Sequence, residues 1–202
     1  MSSLMNKVAP SIISLIRLDH THVMATFHQY MLHSSSGKKR AIVDNICLAV
    51  SMHAQLEEEL FYPEMRKVSH DSDVLDKSVP EHNEMRQIID RLKGADPRSK
   101  GYDQAVMALM REIMHHVADE ETTLLPEAEK YISKERLAEL GAEWTRRRVR
   151  MAKPYAGEIA INTVKTFSTG TMVALAGTAL ALGYMFNRSS SHQQQGGQYM
   201  RH

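Results

Sequence analysis

The sequence predicts an all-α protein built on an up-down-up-down four-helix bundle, with an extra helix after it. Three observations carry that expectation. Four segments place apolar residues three and four apart, which is the spacing of one face of a helix. The connections between them are short and hold Ser, Gly, Asp and Pro, and short connections between helices of similar length favour antiparallel neighbours. No segment sustains a period-two alternation, and 14 methionines beside 6% aromatics suit helices better than strands.

The first segment spans about Ser11 to His33, with Ile16, His20, Val23, Phe27 and Met31 on its stripe. The second spans about Lys38 to Val68 and carries Ile42, Ile46, Ala49, His53, Leu56 and Leu60. The third is expected from Ser78 to Lys93, because Ser78-Val79-Pro80-Glu81 reads as a capping box with proline in the first turn. An earlier start near Asp73, with a kink at Pro80, is the alternative. The fourth runs from about Gly101 to Tyr131, with Ala105, Leu109, Ile113, His116, Glu120 and Leu124 in register. SSSGKK, HDSD and GADPRSKG separate them.

The chain has 202 residues, enough for one domain and a tail. A formal net charge of +1 names no nucleic-acid partner. The single cysteine, Cys47, excludes an internal disulfide, a cysteine zinc cluster and a c-type haem attachment; it is expected to pack as a small apolar residue. The N-terminus lacks the apolar run of a secretory signal.

Each of the four helices puts one histidine on its apolar stripe: His20, His53, His82 and His116. The second and fourth add a glutamate four residues on, Glu57 and Glu120. Residues four apart share a helix face, so four imidazoles and two carboxylates converge on the bundle axis if the stripes face inward. One such histidine alone is more often a satisfied core or surface residue. Four in register with two buried carboxylates are different, since a buried carboxylate needs a partner, a proton or a metal. His20 to His53 is 33 residues and His82 to His116 is 34, so the pattern occurs twice and suggests two metals. Six N/O donors without thiolate are too many for one tetrahedral zinc, and imidazole with carboxylate suits iron. The signature of ferritin-like di-iron bundles, a Glu-x-x-His motif on each of two helices with further carboxylates, is missing.

The neighbouring polar residues are expected outside. His115 and Asp119 form a rival i,i+4 pair, but the proline ten residues on, at Pro63 and Pro126, favours His116 and Glu120 as the inward pair. His22 and His28 are expected in solvent, Glu58, Glu59 and Glu121 as a surface acidic edge, and Glu84 facing water. Pro63 and Pro126 are expected to kink or end their helices just past the histidine–glutamate turn.

LDHTHVMATFHQY, HAQLEEELFYP, EHNEMRQIIDRL and HHVADEETTLLP, in that order, resemble the hemerythrin-like HHE cation-binding domain family over roughly residues 8 to 145. The resemblance implies a four-helix bundle around a non-haem di-iron centre, oxo- or hydroxo-bridged. Its metal ligands would be His20, His53, Glu57, His82, His116 and Glu120, with the glutamates shared between two Fe ions. Oxygen-carrying members have a second histidine four residues after the one on the third helix; here that position is Arg86. One iron would then keep an open or solvent-filled position. The implied function is to bind, sense or react with O2, NO or peroxide; the alternative is an iron-responsive regulatory or iron-storage module without turnover. Neither a substrate-binding motif nor a general base can be read, so enzymatic activity stays open.

The expected organisation is a metal-binding bundle over 8–132, a polar and basic helix and linker over 133–165, a transmembrane helix over 166–186, and a disordered polar tail over 187–202. Phe167 to Phe186 is twenty residues without a charge, about the length of a bilayer span. Arg146, Arg147, Arg148, Arg150, Lys153 and Lys165 precede it; the positive-inside rule keeps the bundle in the cytoplasm, tethered to the inner face of the membrane. The alternatives are a soluble cytoplasmic protein, with this segment as a further helix, and an arginine run that touches anionic lipid headgroups.

Overall fold

A computed structural model describes residues 10–69 and 72–166 of the chain. Among these residues the secondary structure is entirely helical. α1 is Ile12–Phe27. α2 is Ser36–Leu56, continued through a π-helical turn, Glu57–Phe61, into Tyr62–Met65. α3 is Asp73–Gly94. α4 is Lys100–Asp119, continued through a π-helical turn, Glu120–Leu124, into Leu125–Tyr131. α5 is Lys134–Ala152, and a 3-10 turn, Lys153–Tyr155, leads to α6, Ala156–Thr166.

Five of these helices begin the same way. Ser11, Ser35, Ser72, Ser99 and Ser133 stand at the N-caps, each accepting a backbone N–H three residues on. A serine there satisfies one of the donors that a helix start leaves unpaired. This corrects the start of α3. The cap is Ser72 and not Ser78, which lies inside the helix and donates to the Val74 carbonyl at 2.7 Å. Burial of Leu75 and the Ser72 cap outweigh the hydrogen bond that Pro80 cannot make inside the helix. α1 ends earlier than expected, at Phe27. The chain turns there so that the Tyr30 hydroxyl can donate to Asp103 at the start of α4, and Met31 falls outside the helix and is half exposed.

Side chains at the helix ends fix the topology. The Arg40 guanidinium, at the start of α2, donates to the Leu92 carbonyl at the end of α3 (2.9 Å), while Arg66, past the end of α2, pairs with Asp76 near the start of α3 (2.9 Å). α2 and α3 are therefore antiparallel. Lys39 on α2 pairs with Asp103 on α4 at 2.7 Å, so these two helices point the same way. Along the axis the apolar residues form two clusters. One holds Ile42, Ile46, Met85, Ile89, Tyr102 and Leu109; the other holds Ile12, Leu56, Phe61, Leu75, Leu124 and Trp144. A polar belt of His20, His53, Glu57, His82, His116 and Glu120 is buried between them. Cys47 belongs to the first cluster, and burial pushes its thiol up to about 12.

α5 lies outside the four-helix frame, along α1 and α2. Arg136 near its start pairs with Glu64 at the end of α2 (2.9 Å), and Arg147 near its end pairs with Glu59. The approach to α1 is closest at Gly141, where an added Cβ would lie 2.1 Å from the Pro10 carbonyl oxygen and 3.0 Å from Ile12 N. Gly141→Ala is therefore expected to destabilise the fold by about 1–3 kcal/mol, the usual cost of overpacking, despite the better helix propensity of alanine. The denaturant midpoint reports it; an increase would show that α5 does not rest on α1 this tightly.

The residues after Ala152, expected in part as linker, form the 3-10 turn and α6, which packs on α2. No helix among the described residues is long and apolar enough to cross a membrane. The expected span and tail, from Phe167 onward, lie outside the described residues. Within the arginine run, Arg146 and Arg147 pair with Glu143, Arg147 also with Glu59, and Arg148 with Asp19.

Candidate metal centre

The six residues singled out from the sequence meet between the two apolar clusters. His20, His53, His82 and His116 are all buried, and Glu57 and Glu120 are 0% exposed. The imidazoles form two pairs. His20 Nε2 faces His53 Nε2 at 3.2 Å, and His82 Nε2 faces His116 Nε2 at 3.0 Å. Glu57 lies between the pairs: Oε1 is 3.1 Å from His53 Nε2 and Oε2 is 3.4 Å from His82 Nε2. Glu120 Oε2 is 3.4 Å from His20 Nε2 and 3.7 Å from His116 Nε2.

The two π-helical turns begin at these glutamates. The Tyr62 N–H donates to the Glu57 carbonyl and the Leu125 N–H to the Glu120 carbonyl, both five residues back. Pro63 and Pro126 then sit in the first turn of the resumed helix, where a missing N–H matters little. The helices are thus neither ended nor interrupted at the prolines; each widens by one residue and continues, a deformation that recurs at functional sites.

The widened turn also brings in a residue that the sequence reading missed. The Tyr62 hydroxyl donates to Glu120 Oε1 at 2.9 Å and lies 3.3 Å from Glu57 Oε2, 3.4 Å from His82 Nε2 and 3.5 Å from His116 Nε2. It occupies the end of the site expected to be open. Burial and the two carboxylates hold its phenol well above the ordinary range, so it remains a donor. Arg86 turns away and pairs with Glu58 at 2.7 Å.

Behind each imidazole stands a carboxylate, and the four contacts close a ring. Asp19 on α1 takes His53 Nδ1 of α2 (3.4 Å). Glu58, in the π turn of α2, takes His82 Nδ1 of α3 (2.9 Å). Glu81 on α3 takes His116 Nδ1 of α4 (2.8 Å), and Glu121, in the π turn of α4, takes His20 Nδ1 of α1 (2.9 Å). Glu58 and Glu121, expected on a surface acidic edge, belong to this ring; Glu59 does lie outside, on Gln55 and Arg147. A repeated signal existed: an acid directly before the histidine in α1 and α3, and a Glu-Glu pair in α2 and α4.

This ring decides the chemistry. An ionised carboxylate only accepts, so each Nδ1 carries a proton and each Nε2 of a neutral ring presents a lone pair. Four lone pairs and two carboxylates then face one another across about 3 to 4 Å, and Glu57 Oε1 and Glu120 Oε2 have no hydrogen-bond partner among the described residues. Apart from the Tyr62 hydroxyl the set is acceptors only, and it requires cations. Protons can serve. Burial lowers His116, but Glu120, Glu57 and Glu81 outweigh it and push it up to about 10. Burial likewise raises the Glu57 carboxyl, but His53, His116 and His82 bring it well below the usual range. A metal serves equally, and the donors suit it. His20, His53, Glu57 and Glu120 form one group whose ligand atoms lie within 4.8 Å of one another; Glu57, His82 and His116 form a second.

A third acidic grouping, Glu81, His115 and Asp119, lies nearer the surface, with His115 exposed. Lys77 already pairs with Asp119 there, and the rival His115/Asp119 frame points outward. His22, His28 and Glu84 are exposed, as expected. An apolar cavity opens beside the histidines, lined by Val23, Val50, Ala54, Met85, Ile113 and Val117.

Three comparisons bear on this site. The family model of the Hemerythrin HHE cation binding domain matches residues 11–128. A Nostoc sp. protein named DNA nickase is 24% identical over 148 residues, which cover 73% of this chain but 42% of that relative's length. A crystal structure of a Hemerythrin HHE cation binding domain-containing protein from Mycobacterium kansasii superposes with a TM-score of 0.63 at 16% identity, covering 75% of this chain and 93% of that one; at this identity the likeness concerns the fold.

Proposed function

Because the chain belongs to the hemerythrin HHE cation-binding domain family, we propose that its buried cluster holds two iron ions and binds, senses or reacts with O2, NO or peroxide. The observation that carries the reading is the inward-facing acceptor set, four Nε2 lone pairs and two carboxylates with every Nδ1 anchored from behind. His20 and His53 would hold one ion, His82 and His116 the other, with Glu57 and Glu120 shared; the Tyr62 hydroxyl lies beside the His82/His116 pair, while Arg86 has the α3 position of the oxygen carriers' second histidine. Iron held there would supply redox chemistry and a site for a small exogenous ligand.

The chain's own residues do the rest. The carboxylate ring fixes each imidazole with its Nε2 inward, as outer partners of metal-bound histidines do. The Tyr62 hydroxyl offers a proton at the inner carboxylates. The cavity beside the four histidines, walled largely by aliphatic side chains, has room for a small uncharged molecule. The iron-responsive regulatory reading is favoured by one observation, the contact of α5 with His53. DNA nicking is not carried over, since the match covers 42% of the nickase's length. Membrane attachment through 166–186 rests on the sequence alone, and recovery of the full chain in the soluble fraction would remove it.

The test is elemental analysis with the visible spectrum of the full chain purified in air. About two irons per chain with oxo-bridge charge-transfer bands are expected for a carboxylate-rich bundle site. A second readout is built in. Trp144 is the single tryptophan, with its ring centroid 5.7 Å from that of His53, so iron added to chelated protein should quench most of the intrinsic fluorescence. Zinc alone, no metal, or unquenched fluorescence beside a fully loaded site would each count against the reading.

A further inference from the structure

The four histidine–carboxylate pairs are each backed by a cation, and one of the four cations comes from outside the bundle. Arg17 on α1 sits 3.1 Å from Glu121, Arg86 on α3 2.7 Å from Glu58, and Lys77 on α3 4.0 Å from Glu81. Behind His53 the cation is Arg148, on α5. Its guanidinium binds Asp19 Oδ2, the same oxygen that faces His53 Nδ1. Asp19 is 6% exposed, so without Arg148 its charge would be buried beside a single imidazole. One turn earlier on α5, Trp144 packs edge-on against the His53 ring, with 73° between the planes. α5 therefore touches one imidazole twice, through Asp19 and directly.

We propose that Arg148 and Trp144 are positioning residues for His53, and that through them docking of α5 and iron occupancy at the His20/His53 end stabilise one another. The inference rests on the iron reading and adds to it a direction of coupling. His53 can present Nε2 inward only while its Nδ1–H points at Asp19 and its ring is held from the side. Arg148 fixes the first and Trp144 the second. Coupling of this kind is reciprocal: whatever iron gains from a docked α5, α5 gains from bound iron. The other end of the site has its cations on α3 and does not share the dependence. α5 continues through the 3-10 turn into α6, so the docking of α5 would also bear on α6.

The test uses the full chain and ferrous iron. Arg148→Gln is expected to weaken iron at the His53 end about 10–100-fold, the usual effect of losing an outer partner of a ligand, so that content falls toward one iron per chain. Arg148→Lys keeps the charge and is expected to recover much of the second iron, which a merely structural role would not predict. Hydrogen exchange across 134–152 is expected to slow when iron is added and to quicken on chelation. In Arg148→Gln it should no longer respond. Arg86→Gln, behind His82, should lower iron content while leaving that response intact. If Arg148→Gln and Trp144→Phe hold two irons as tightly as the wild type, or if exchange in α5 ignores iron, the coupling is wrong while the iron reading stands. If the wild type takes up no iron, the reading beneath it fails first.

Discussion

Glu57→Gln is expected to strip iron from both ends of the site at once. Glu57 belongs to both ligand groups found among the described residues, with Oε1 toward His53 and Oε2 toward His82. Glutamine keeps the shape and loses the charge, so the loss is electrostatic and not a cavity. A neutral amide cannot replace a carboxylate between two iron ions, and iron content should fall to well under one per chain, with loss of the charge-transfer bands. The single-end variants set the contrast. His82→Ala removes a ligand from one group and should leave about one iron, since the His20, His53, Glu57 and Glu120 group is intact. Glu57→Gln also alters the chelated protein, because Glu57 helps hold His53 above its ordinary value against burial and contributes to raising His116. Two irons per chain in Glu57→Gln would refute the shared role of this carboxylate.

What the sequence made legible follows from helical geometry. His53 with Glu57, and His116 with Glu120, are four apart and share a face with Leu56 or Ile113, so the inward set could be read from the stripe alone. Asp19, Glu58, Glu81 and Glu121 each sit one residue from a ligand position, about 100° around the helix. From a single helix that direction looks like solvent. It becomes the neighbouring histidine only once four helices are packed, which is why Glu58 and Glu121 were read as surface. Tyr62 was hidden differently. Five residues after Glu57, an ordinary helix would turn it about 140° away. The π turn closes its hydrogen bond over five residues instead of four, which swings Tyr62 back toward the Glu57 side. Pro63 is the sequence signal for that turn, and it was read as a kink or stop. α5 is legible as a helix, but nothing in its own periodicity tells that Trp144 and Arg148 reach an imidazole three helices earlier in the chain.

Chelating the metal is expected to destabilise the fold, and increasingly so as pH rises. Without iron, protons must neutralise the buried acceptors. His116, raised to about 10 by its carboxylates against the pull of burial, takes up part of that task. A histidine with a raised folded value contributes stability that is fully present below its unfolded value of about 6.5 and is lost as pH climbs toward the folded value. The chelated protein should therefore lose on the order of a few kcal/mol between about pH 6.5 and pH 10. The iron-loaded protein should not follow, because metal and proton compete for the same Nε2 and carboxylate positions and the metal wins as protons become scarce. The gap between the two melting temperatures should widen from about pH 6 to about pH 9, where iron supplies the charge that protons no longer do. His116→Gln removes the proton site together with a ligand, so its chelated form should show a flatter pH dependence over the same range. A chelated wild type whose melting temperature is level across that range, or a gap that narrows with pH, would mean that something other than these six side chains balances the buried charge.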